Sequence, residues 1–277
     1  MHMKLSKFLL LGLLGICVPL TMATSCSDNK EPDDPAVVPH HPTSNFDRCP
    51  LLAHIDNPKL GIKEITLERY EDGELAYKEV YSYDKEQRLT KITADNWYNT
   101  YEYDAKGRPC KIVERGEDAE FGNWQNVVAY FYDEYGFYTK YTWTSESQDG
   151  EYAMEVTYDY VGDTVFMSSK SEGVRTINVY SEDMYPIYSH HIEEGYEDET
   201  YYDWENGNRV SVKTGGYENK YTYDDKVNIE RLFELFSIGD VNNRLGYWSY
   251  TYDGNGMVAA KQTESGTTKE VFTYIYY

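Results

Sequence analysis

The chain has 277 residues, 48 of them acidic against 26 basic, for a formal charge of -22. A field of that sign repels nucleic acid and anionic lipid headgroups, so neither is an expected partner. Aromatic residues make up 16% of the chain and 30 of them are Tyr. That points to a core built from rings rather than from Leu.

Residues 1–25 read as a secretory signal. Lys4 and Lys7 form its charged start, and Phe8 to Leu20 is an apolar stretch too short to span a bilayer. Ala23-Thr24-Ser25-Cys26 reads as a lipobox, in which small residues precede a cysteine that becomes acylated. Cys26 is thus the expected lipid-attachment site, each buried CH₂ of its chains contributing about 0.8 kcal/mol of membrane affinity. Ordinary cleavage that leaves Cys26 a free thiol is the alternative. Residues 26–45 are acidic and proline-broken, the composition of a solvated tether. With Cys17 in the signal, Cys49 and Cys110 remain: they are candidates for a disulfide outside the cytoplasm, or else two buried apolar thiols.

Residues 46–277 read as a single all-β domain organised by a repeated phrase, Tyr-x-Tyr-Asp. It occurs as YSYD at 81–84, YEYD at 101–104 and YFYD at 130–133. Related forms end at Asp159, Asp203, Asp224 and Asp253, with a weaker copy around Asp183. The spacing leaves room for two strands and two turns per unit, about 16 to 18 strands in all. Period-two alternation sets Trp97, Asn99, Tyr101 and Tyr103 on one face and Thr100, Glu102 and Asp104 on the other. Asp opens each turn by accepting from backbone two residues on, and a following Gly supplies positive φ; Gln87 and Val227 replace that Gly in two copies. These patterns predict an antiparallel meander of hairpins, forming a curved sheet or a partly open barrel with a partly wet interior. One stretch, near 228–237, reads as a short helix: Ile229, Leu232, Phe233 and Phe236 are spaced at i, i+3, i+4 and i+7, and Asn228 is a plausible cap. Its expected job is to cover an open end of the sheet.

No strong nucleophile motif, phosphate loop or metal spacing appears, so no cofactor and no metal site is expected. His190-His191-Ile192-Glu193 is the densest candidate, because His191 and Glu193 share a strand face, but further ligands are missing from the pattern. Among 48 acidic residues a glycosidase pair can always be imagined, which makes carboxylate number uninformative. The tryptophans say more, since exposed aromatic rows make platforms for sugar rings. Trp124, in what reads as an insertion from Arg115 to Asn126, Trp143 and Trp204 are the candidate ligand-binding residues; Trp97 and Trp248 read as core.

The Y-x-Y-D-x-x-G-R phrase resembles the tyrosine–aspartate repeats of Rhs-type shell proteins, in too few copies for a closed shell. A fuller resemblance rests on the lipoprotein start, the acidic run after Cys26, the YD hairpins, the Trp248–Gly256 phrase and the terminal Phe272–Tyr277. Together these are similar to Bacteroidetes lipoproteins of an uncharacterised family with a porin-like β fold. The resemblance implies a lipid-anchored outer-membrane protein, exposed at the cell surface or otherwise periplasmic, and brings no catalytic residues with it. A transmembrane barrel is not expected, because the face opposite the rings is Thr, Glu, Lys and Ser. The expected function is a non-catalytic binding or display module with a carbohydrate or protein ligand. The alternatives are a carboxylate- or metal-dependent hydrolase, a hydrophobic-ligand carrier, or a scaffold.

Overall fold

The computed structural model describes residues 41–54, 59–118, 122–147, 150–169, 171–233 and 240–277. The signal, Cys26 and the tether to residue 40 lie outside them. In chain order the strands are β1 Ile62–Glu71, β2 Glu74–Tyr83, β3 Leu89–Thr93, β4 Trp97–Tyr103, β5 Pro109–Asp118, β6 Gly122–Tyr132 and β7 Tyr138–Ser147. There follow β8 Gly150–Val161, β9 Thr164–Ser169, β10 Val174–Tyr180, β11 Pro186–Glu193, β12 Tyr196–Glu205 and β13 Asn208–Thr214. The last are β14 Tyr217–Lys220, β15 Tyr223–Val227, β16 Asn242–Arg244, β17 Trp248–Tyr252, β18 Val258–Thr263 and β19 Thr268–Tyr276.

Seventeen of these strands form one antiparallel sheet, and β15 and β16 pair separately. Neighbours in sequence pair in turn from β14 back to β1, and β1 then pairs with β19 along nearly its whole length, Ile62 opposite Tyr276 and Glu71 opposite Thr268. From β19 the run continues through β18 to β17. The first and last strands are thus side by side, and the sheet's free edges are β14 and β17; the sheet is not closed between them. The β15–β16 hairpin bridges that seam. Tyr221 N donates to Val210 O on β13 at 3.0 Å, while Tyr252 and Tyr250 on β17 donate to Asp224 and to Arg244 O.

The repeat explains one end of this sheet. Asp104 Oδ1 accepts from the backbone N–H of Lys106 and of Arg108, both at 2.9 Å, and its Oδ2 takes Arg108 Nε at 2.7 Å. Asp84 and Arg88 repeat the arrangement, and Asp133 and Asp253 cap their turns the same way. Gln87 stands at the position other turns give to glycine, with φ 67°. Its amide offsets that strain by bridging both backbone groups of Ile62. The turn then grips the next unit. Arg88 lies 4.9 Å over the Tyr103 ring and Arg108 4.2 Å over Tyr132. Tyr103 and Tyr132 in turn donate to the carbonyls of Leu89 and Pro109, each at 2.7 Å. Tyr160 and Tyr274 do the same to Tyr138 and Val258 at 2.6 Å. In each case the accepting carbonyl lies five residues past the Asp that opens the turn (84 to 89, 104 to 109, 133 to 138, 253 to 258), so the latch is part of the repeat.

Three phrase positions depart from the expected turn. Asp159 lies within β8 opposite Phe166, Asp203 within β12 opposite Ser211, and Asp224 within β15. At the second of these, Asn206-Gly207, at φ 51° and 78°, makes a tighter two-residue hairpin two positions later. In the weak copy Ser181, not Asp183, opens the turn by accepting from Tyr185 N at 3.2 Å.

The expected helix near 228–237 is instead a 3-10 turn, Ile229–Leu232, capped as read by Asn228; residues 234–239 lie outside the described residues. Tyr83 OH donates to the Leu232 carbonyl at 2.6 Å and pins the end of this turn to the sheet. Ile229 and Leu232 are buried in the larger core with Ile65, Tyr81, Leu89, Val258 and Phe272. Glu230 is tied to Lys261, a lysine only 5% exposed that also pairs with Glu270 at 2.9 Å.

A second core gathers Phe46, Phe137, Tyr138, Tyr160, Val165 and Tyr180 around Cys49. The end of the tether is docked rather than free, since Thr43 O and Gly162 O exchange hydrogen bonds with Gly162 N and Asn45 N at 2.7 and 2.8 Å. The Cys49–Cys110 disulfide is not formed. Cys49 is a free thiol, buried under Tyr160 OH at 3.3 Å, and desolvation pushes its pKa up.

Burial raises the pKa of most inward tyrosines, Tyr101 to about 12 and Tyr81, Tyr130 and Tyr138 further. In the unfolded chain the same phenols ionise near pH 10. Above that pH the unfolded state binds fewer protons than the native one, so stability is fully present below pH about 10 and falls as pH rises beyond it. In an alkaline titration the bulk of the tyrosinate absorbance is expected to appear together with loss of the β-sheet circular dichroism. Ionisation of most tyrosines within an intact sheet would contradict the buried-ring core.

Candidate functional site

The two ends of the sheet differ. The YD turns close one end, while the other carries the β3–β4, β5–β6 and β7–β8 connections and an open groove of about 1060 Å³. Residues 93–98, 115–117, 123–125 and 146–147 line it.

Strand register builds this groove. Trp97 pairs with Gly116, and Gly116 with Trp124, so the three stand in one cross-strand row on the inner face. Gly116 is required there because the Trp124 indole lies on its backbone: a Cβ at 116 would sit 2.3 Å from the ring. Trp124 is therefore partly buried, resting on the glycine that separates it from Trp97 in the row. The Arg115–Asn126 stretch is no insertion, since β5 and β6 continue through it as a long hairpin, Asp118 opposite Gly122.

One step further in, about 6.8 Å along the strands, the same face carries Asn99, Glu114 and Asn126 in register. Asn126 Nδ2 donates to Glu114 Oε2 at 2.8 Å. Desolvation raises the Glu114 pKa, against the Asn126 hydrogen bond that lowers it. Asn99 is 5% exposed, and its Oδ1 is buried with no hydrogen-bond partner among the described residues.

The other sequence candidates go elsewhere. Trp143 stands opposite Val128, deeper in the sheet, with its ring 5.2 Å from Tyr152. Trp204 takes the place of a latch tyrosine: its Nε1 donates to Pro186 O at 2.7 Å, and its ring stacks on Tyr185 at 4.8 Å. Pro186 lies five residues past Ser181, the same interval as in the tyrosine latches, so Trp204 is a structural residue. Trp97, read as core, does pack against the larger core and also lines the groove. The signal for its pairing with Trp124 was the Gly-x₇-Trp interval of a hairpin whose turn falls halfway.

His191 and Glu193 share a face as expected, 3.6 Å apart, with Thr176 at 3.2 Å on the other ring nitrogen; His190 faces away and pairs with Glu197 at 2.6 Å. Among the described residues no three His, Cys, Asp or Glu side chains gather as metal ligands. Neither of these readings builds a second site.

No family model matches the chain, and no curated protein does. Among solved structures it is similar to a porin-like protein from Bacteroides uniformis ATCC 8492. Identity is 14% and the TM-score 0.37, over 79% of this chain and 99% of that one. A superposition that loose carries no argument about activity.

Gly116→Ala is expected to displace the Trp124 ring into solvent, shifting tryptophan emission to the red with the sheet's circular dichroism intact. Unchanged emission would mean that the indole does not rest on Gly116.

Proposed function

We propose that this chain is a non-catalytic, lipid-anchored protein of the cell envelope that binds a carbohydrate in its loop-end groove. The observation that carries the reading is the Trp97–Gly116–Trp124 row. Two indoles braced on one inner face, inside an open cavity bordered by Asn, Gln, Glu and Arg, offer apolar surface to the faces of a sugar ring and polar groups to its edge. Hydrophobic-ligand transport fits less well, because the next row inward is Asn99, Glu114 and Asn126. A hydrolase is the second reading, with the Glu114 carboxylate in the row next to the tryptophans as its candidate acid; shortening of a bound glycan on incubation would establish it.

The full chain on a broad glycan array, with Trp124→Ala beside it, tests the binding. Expected is a saturable hit that the substitution weakens at least about tenfold, by analogy with the roughly 1–3 kcal/mol that a nucleic-acid base gains by stacking on one aromatic side chain. Silence across the array, or a hit indifferent to Trp124, would refute it. The anchor is separable: Cys26→Ala should move the protein from the membrane to the soluble fraction, and unchanged retention would refute lipidation.

A further inference from the structure

The row beneath the tryptophans offers acceptors in excess. Asn99 Oδ1 is buried without a donor, an arrangement that costs about 1–3 kcal/mol unless something supplies one. Beside it Glu114 is half-buried, its Oε2 held by a neutral amide from Asn126. The other titratable groups facing this row are the Tyr101 phenol on β4, which takes a hydrogen bond from the Asn99 amide N–H and leaves its Oδ1 unpaired, and, across Tyr101, Glu79 on β2; neither is a cation. A carboxylate and an orphaned amide oxygen side by side, within an acidic protein, call for a ligand group that donates several hydrogen bonds and carries positive charge.

On the reading that the groove binds sugar, we infer that its ligand class is the amino sugar with a free amine, its ring on Trp97 and Trp124 and its ammonium at Glu114 and Asn99. An N-acetylated sugar offers one neutral N–H there, with an added carbonyl that would meet two acceptors. A uronate or a sulfated sugar would bring its charge against Glu114. Specificity of this kind rests on the repulsion as much as on the new contact.

Calorimetric titration of the wild-type full chain with glucosamine, N-acetylglucosamine and glucuronate oligomers of equal length tests this. Glucosamine oligomers are expected to bind at least about tenfold tighter than the N-acetylated ones, as a charge-assisted bond replaces a neutral one, with glucuronate weakest. Glu114→Gln, close in shape, should collapse that preference. Equal affinity for the first two oligomers, or a preference that survives Glu114→Gln, would overturn the inference and leave the sugar-binding reading standing. Absence of binding to all three, alongside a Trp124-dependent hit elsewhere on the array, would also overturn the inference alone. Absence of any sugar hit overturns both. If Glu114→Gln fails to fold, the wild-type ratio decides by itself.

Discussion

The phenol hydroxyl that reaches back to the preceding hairpin is the interaction on which the rest of the structure depends. A sheet of this length has a weak point at each hairpin, because backbone ladders fix neighbouring strands but not the curvature from one hairpin to the next. Here a turn arginine lies on the next unit's tyrosine, and that tyrosine's hydroxyl holds the carbonyl behind the turn. The same ring supplies buried apolar area and the donor that makes its burial tolerable. Leu could supply the first but not the second, so the latch positions carry Tyr. The Asp of the phrase completes the unit, holding both the turn backbone and the arginine in place.

That logic was largely readable in the amino-acid sequence, and its failures have identifiable causes. Asp104 and Asp253 behave as their turns predicted. Asp203 does not, because Asn206-Gly207 offers a two-residue hairpin that lets β12 continue past it, and Trp204 then inherits the latch. At 229–232 apolar spacing suits a 3-10 turn as well as a helix, because Ile229 and Leu232, three apart, both reach the core from a single turn. Spacing left the state of Cys49 open, and its packing under Tyr160 makes it a buried thiol. The candidate groove was half readable. Trp124 stood out by its polar neighbours, but its partner Trp97 emerges only from register, and register depends on where the β5–β6 turn falls.

The inner face is not uniformly apolar, and its gradient has a physical source. Near the YD turns the rings of β2, β4 and β6 are latched, and the 3-10 turn and the tether's end fill the space between them. Buried charge is engaged on two sides where Lys261 lies between Glu230 and Glu270. Towards the opposite end these fillers are absent from the described residues, and side chains at equivalent strand positions become Asn99, Glu114 and Asn126.

This asymmetry is also what separates structural rings from candidate binding rings. An aromatic residue whose polar atom is consumed by a carbonyl five residues beyond a turn is part of the repeat, whatever its identity, and Trp204 belongs to that set. Trp97 and Trp124 lie at the end where the repeat makes no such demand. Their arrangement instead requires a glycine, which in a strand interior weakens the ladder and contributes no side chain of its own. A sheet built for stability alone would fill position 116 with a β-branched residue and tuck one smaller ring against it. Holding two indoles in one row with bare backbone between them, and an unsatisfied amide oxygen in the next row, sacrifices stability locally. A local cost of that kind, at a large groove among the described residues, is expected of a binding site more than of a scaffold.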